Sequence, residues 1–263
     1  MGSYSKAWVD GPFELVSPEK TGDKKVKRAT GARRLAAEMT LVHNCIIRGI
    51  NAVYLQCVNV SKRGTAEDKL DFANFASQWA EFVNEHHTIE ETSIFPGIGK
   101  ITGVPGLMDA NVDEHKAFHD GLEQYVEYLE KVKKNEETFD GEKLKSIIDG
   151  FMPTLRTHLA NEIDTLLLLT EYEDKVDWME WFDKQVGEKI GAMMKNAEYR
   201  TNIFPIAIIF HDKTYYDGVW ANFPPIPWLF ALALRWLYMN KHKNWWRFAG
   251  CDYTSHPKEL PFA

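Results

Sequence analysis

The strongest constraint on this chain is a set of ligand-type side chains at helical spacing. His86 and Glu90, His115 and His119, and His158 and Glu162 each stand four residues apart, and a single His43 precedes them. Residues four apart share one face of an α-helix with their Cβ atoms about 5–6 Å apart, so both members of a pair can reach a common point. Four such helices facing inward would bring together five imidazoles and two carboxylates. Without cations, a set like that would leave carboxylates desolvated and unpaired, which is costly enough to force protonation. Seven donors exceed what one ion holds and suit two, with nitrogen at each end and carboxylate oxygen between.

The segments that carry these residues have a helical period. Leu35, Met39, His43, Ile46, Ile47, Ile50 and Tyr54 form one face of a helix from about Arg28 that fades near Ser61–Gly64. A second helix starts near Thr65, places Phe72, Phe75, Trp79, Phe82, His86, Ile89 and Glu90 on a face, and should stop at Pro96 and Gly97. A third runs from about Leu107 to Lys133 with Val112, His115, Phe118, His119, Leu122 and Tyr125 inward. The fourth follows Asp140 and Gly141, carries His158 and Glu162 among leucines, and contains Pro153 one turn before the histidine. Amphipathic helices joined by short loops predict an all-α fold, an up-down-up-down four-helix bundle with metal ligands on facing helices.

The run HHTIEE leaves two registers open, His86 with Glu90 and His87 with Glu91. Bulky Phe75, Trp79 and Phe82 share a face with His86, which favours the first and leaves His87 and Glu91 at the boundary. Asp113, Glu114 and Asp164 read as solvent-facing charges. His211, His242 and His256 have no helical partner ligand, and no GxGxxG, Walker loop, GxSxG or CxxC occurs.

Residues 1–27 read as an N-terminal arm, 28–172 as the bundle, and 173–263 as an aromatic-rich, mostly helical C-terminal extension. Seven of the nine tryptophans lie in that last part, so it must pack on the bundle or on itself. Its segment Pro227–Tyr238, PWLFALALRWLY, is too short to span a bilayer; it reads as a buried helix, or alternatively as one lying on a membrane surface beside Lys241–Arg247. A net charge of −7 argues against a nucleic-acid partner. Three scattered cysteines and the lack of an apolar leader point to a reducing, cytoplasmic setting without disulfides.

HN at His43, HHTIEETSIFP from His86, EHKAFH ending at His119 and HLANEID from His158 stand in the order found in the hemerythrin-like, or HHE cation-binding, family. The chain resembles that family over roughly residues 35–170. The resemblance implies a non-haem centre of two iron ions with dioxygen as ligand. His115, His119 and His158 would hold one iron and His43 and His86 the other, bridged by Glu90 and Glu162. The closing pair departs from the oxygen carriers, which use a longer spacing and an aspartate, and this speaks against simple reversible carriage. The expected function is therefore oxygen activation for oxidation of a small organic substrate. The alternative is a non-catalytic protein that binds, stores or senses oxygen, iron or nitric oxide.

Overall fold

The computed structural model describes residues 8–17, 30–224 and 226–263, and among these the regular structure is helical, with one isolated β-bridge between Cys251 and Pro257. Helix α1 is Gly31–Arg63 and α2 is Ala66–Ile89. A single π-helical turn, Glu90–Ile94, joins α2 to the short α3, Phe95–Thr102. Then come α4, Asp109–Lys133, and α5, Gly141–Leu168. In the packing, α1 lies against α2 and α5, while α4 also lies against α2 and α5, which closes a four-membered ring of helices.

Local chemistry explains the boundaries. Thr65 starts α2 through a capping box: its hydroxyl accepts from the Asp68 backbone N–H at 3.1 Å, and the Asp68 carboxylate accepts from the Thr65 N–H at 2.8 Å. Asp140 starts α5 by accepting from the N–H groups of Glu142 and Lys143. Pro96 does not end the second helical stretch as expected. It sits in the first turn of α3, where its missing N–H would be unpaired in any helix, so the chain continues through the π turn. The left-handed Gly103 ends α3 instead.

α1 is covered on nearly every side, and its polar residues show by what. Asn51 donates to the carbonyls of Val9 and Phe13, Asn44 donates to Val16, and Arg48 pairs with Asp10 at 2.6 Å, so the described part of the N-terminal segment is strapped along this helix. The rest of the predicted 1–27 arm lies outside the described residues.

The residues after 172 pack on the helical ring, as their aromatic content required. Helix α6, Trp178–Met193, lies against α1 and the π turn, and the buried Trp178 donates its indole N–H to the Leu169 carbonyl at 3.0 Å. α7, Ile206–Ile209, touches α1 and α2. Near the C-terminus, Phe248 packs edge-on to Phe72, Gln56 donates to the Phe248 carbonyl, and Arg247 pairs with Asp68. The helix α8, Trp228–Ala233, continues through a π turn (Leu234–Tyr238) to Met239–Lys241, and it is buried along one face only. No helix among the described residues is long and apolar enough to cross a membrane.

Candidate metal centre

Seven ligand-type side chains converge inside the ring of long helices. His43 comes from α1, His86 and His87 from the end of α2, Glu90 from the first residue of the π turn, His115 from α4, and His158 and Glu162 from α5. They form two overlapping groups whose ligand atoms lie within 4.8 Å of one another: His87, Glu90, His115 and His158, and His43, His86, Glu90 and Glu162. Glu90 belongs to both. Its Oε1 faces His86 Nε2 at 3.0 Å and its Oε2 faces His115 Nε2 at 3.7 Å, one oxygen toward each group. Glu162 is placed similarly, with Oε2 at 3.3 Å from His43 Nε2 and 3.7 Å from His158 Nε2.

Two of the expected positions need correction. His119 is not at the centre; its side chain is 69 % exposed and lies beside Asp120 on the outer face of α4. The inward stripe of α4 is Asn111, His115, Phe118, Leu122, Tyr125, Leu129 and Val132, which alternates steps of three and four. His119 falls off that seam because Asn111 to His115 is already a step of four, and a second such step in succession brings the overshoot to about 80°, whereas the step of three to Phe118 returns to the seam. His87 supplies the imidazole instead. It is buried, and its ring centroid lies 4.2 Å from that of His115. The two registers of HHTIEE were therefore not exclusive: adjacent residues differ by about 100° around a helix, so His86 and His87 straddle the seam and turn to different groups.

The polar groups behind the imidazoles set their tautomers. His43 donates from Nδ1 to the Leu159 carbonyl at 2.7 Å, His115 from Nδ1 to Glu91 at 2.6 Å, and His158 from Nδ1 to Glu114 at 3.1 Å. Each Nε2 is thereby left as a lone pair pointing inward, the arrangement that suits a metal ligand. Glu114 is thus not merely a solvent-facing charge, since it holds His158 and also accepts from Asn161 at 2.6 Å. Asp113 and Asp164 are exposed, as their positions suggested.

These interior atoms are not satisfied by one another. His43 Nε2, His86 Nε2, His87 Nε2 and both oxygens of Glu90 and Glu162 are buried without a hydrogen-bond partner among the described residues. The lone pairs of His115 Nε2 and His158 Nε2 face each other at 3.0 Å. Buried polar atoms are rarely left so, and converging lone pairs repel unless a cation lies among them. The donor set, nitrogen-rich at both ends with carboxylates between, therefore fits a pair of borderline divalent ions.

Electrostatics agrees. Burial depresses His86 to about 4 and His158 to about 3, and it lowers His87 and His115 as well, so these imidazoles stay neutral at ordinary pH. Glu90 is raised by burial and by the charge of Glu162. Burial pushes Glu162 up while the adjacent imidazoles of His43, His158 and His86 pull it down, and the balance stands at about 2.

Beside this cluster is an apolar cavity of about 160 Å³ that reaches His86. Met39, Val42 and Cys45 of α1 and Phe82 of α2 form its inner wall. Phe182, Val186 and Ile190 of α6, with Tyr199, Phe204, Phe223 and Pro224, form the outer wall. Glu85 and the Tyr199 hydroxyl are polar groups on the lining, and burial with the nearby Glu85 charge pushes Tyr199 up to about 12. Burial pushes the Cys45 thiol to about 12 as well, so it remains protonated.

The remaining histidines have ordinary roles. His211 is buried and donates from Nε2 to the Trp220 carbonyl at 2.9 Å, His242 stacks on Trp245 with centroids 3.7 Å apart, and His256 meets Thr254.

The family model described as "Hemerythrin HHE cation binding domain" matches residues 34–169, which contain every residue of the cluster. A curated relative, "Dimeric xanthone biosynthesis cluster protein R11" of Cryptosporiopsis sp. (strain 8999), is 32 % identical over 261 residues, covering 98 % of this chain and 94 % of the relative. The likeness therefore extends through the C-terminal third. No solved structure matches the chain. With its buried histidine and glutamate cluster and the span of the match, this chain belongs to the hemerythrin HHE cation-binding family.

Proposed function

We propose that residues 28–172 form an up-down-up-down bundle holding two non-haem iron ions, and that the protein binds and activates dioxygen to oxidise a small apolar organic substrate. The ligands in this reading are His43, His86, His87, Glu90, His115, His158 and Glu162. Its main support is the position of the cavity. With Glu90 and Glu162 counted as shared, three imidazoles serve one ion and only His43 and His86 serve the other. The second end has fewer protein ligands, and His86 at that end lines the cavity.

When bound, ferrous ions supply the electrons that dioxygen accepts. The chain's own residues do the rest. Glu91, Glu114 and the Leu159 carbonyl fix the imidazole tautomers. The apolar wall excludes water from the cluster. Glu85 and Tyr199 can orient a hydroxyl or carbonyl on the substrate and exchange a proton with it. A dry cavity of about 150 Å³ holds one benzene ring, so the volume suits a single aromatic or alicyclic ring. The relative's place in a biosynthesis cluster points the same way, toward an enzyme acting on an organic intermediate.

The test is anaerobic loading with ferrous iron, determination of iron per chain, and measurement of oxygen uptake with and without monocyclic phenols and quinols. Two irons per chain and uptake stoichiometric with product support the reading. Reversible oxygen binding with no substrate-dependent consumption would replace it with the carrier or sensor alternative.

A further inference from the structure

α8 and its continuation form a helix that is apolar all the way round, yet only one side has a protein partner. Phe230, Leu234 and Tyr238, at successive four-residue steps, face the body of the protein: Leu234 is fully buried, and the Phe230 ring lies 6.2 Å from that of Phe204. The opposite side carries Trp228, Leu229, Leu232, Trp236 and Leu237, exposed by 74, 62, 45, 68 and 67 %. Single exposed apolar residues are common, but five large ones on one ridge mark a contact surface.

The surrounding charge says what kind of contact. From Gly218 to Cys251 there is no aspartate or glutamate, although the whole chain carries a net −7. Arg235 borders the ridge, and Lys241 and Lys243 follow at its end; none of the three forms an ion pair with a described residue, whereas Arg247 is tied to Asp68 and Asp71. A second copy meeting this ridge about a two-fold axis would bring these cations together with no local acid to offset them. Tryptophan and leucine flanked by cations that no described residue pairs suit instead the boundary layer of a bilayer with acidic headgroups. The helix is too short to cross the hydrocarbon.

We propose that the 228–243 ridge docks on an anionic lipid bilayer, lying in its surface with Trp228 and Trp236 inserted. The ridge adjoins the cavity, since Phe204 both packs on Phe230 and lines it, and Phe223 and Pro224 lead into α8. Docking therefore sets the outer wall of the cavity beside the apolar phase.

The experiment is vesicle co-sedimentation of the full chain, using phosphatidylcholine with and without phosphatidylserine, alongside the double variant Trp228→Ser/Trp236→Ser. Both tryptophans are exposed, so circular dichroism should confirm an unchanged fold. Binding to phosphatidylserine vesicles is expected, weakened at least about tenfold on phosphatidylcholine alone and at least about tenfold in the variant. Failure to sediment with either vesicle overturns the proposal, as does equal binding to both. So does a wild-type chain that dimerises in lipid-free solution while the variant remains monomeric, because that would make the ridge a contact between copies.

Discussion

Removing the metal and lowering the pH from 7 to 5 should destabilise the protein by an amount that the cluster itself sets. An imidazole of ordinary affinity in the unfolded chain takes up about three-quarters of a proton over this range, whereas His86, at about 4, and His158, at about 3, take up almost none in the fold. The unfolded state then binds more protons, so stability falls as pH falls below about 6.5. Each of these two residues contributes a loss of about 2 kcal/mol between pH 7 and 5, about 4 kcal/mol for both. Glu90 acts in the opposite sense: its folded-state affinity for a proton is raised, so its share of stability is lost as pH rises, and acidification offsets part of the loss, by no more than the roughly 3 kcal/mol that any single group can return over two pH units. His87 and His115 are depressed like His86 and add up to a further 4 kcal/mol or so of loss. The net expectation is a decrease of about 1–8 kcal/mol, read by urea denaturation of chelator-stripped protein at both pH values. A metal-free chain equally stable at the two, or more stable at pH 5, would refute the neutral-imidazole picture of this interior.

Three substitutions probe the geometry more locally. His87→Ala should lower bound metal from two ions toward one per chain by elemental analysis, whereas His119→Ala should leave it at two; the reverse outcome would restore the simple His115–His119 pair. Glu114→Ala removes the acceptor that holds His158 and should weaken metal affinity by about 10–100-fold in a competition titration, with the helical spectrum intact. Gly141→Ala would place a Cβ 2.1 Å from the Cys57 carbonyl oxygen, forcing α1 and α5 apart, so unfolding should cost at least about 2 kcal/mol less in urea; an unchanged midpoint would mean the two helices can yield.

Much of this was legible in the residues themselves. α1, α4 and α5 follow from apolar positions at steps of three and four, and their caps and glycines place the ends within a few residues. Pro96 was misleading because proline breaks a helix interior but suits a first turn, and only the neighbouring π turn decides which it meets. His119 looked like a ligand because four-residue spacing is a good but inexact repeat, and the packing of α4 on α2 and α5 decides which side of the overshoot is inside. The roles of Glu91 and Glu114 depend on histidines 24 and 44 residues away, so no local pattern announces them. For α8, composition shows an apolar helix but not which half finds a partner.

His86 and His87 are joined by one peptide bond yet serve opposite ends of the cluster. A small twist of α2 about its own axis that draws one ring inward must swing the other away. The separation between the two ends is therefore tied to the rotation of a helix and not only to side-chain torsions, and the widened turn at Glu90–Ile94 that follows this helix packs against α6.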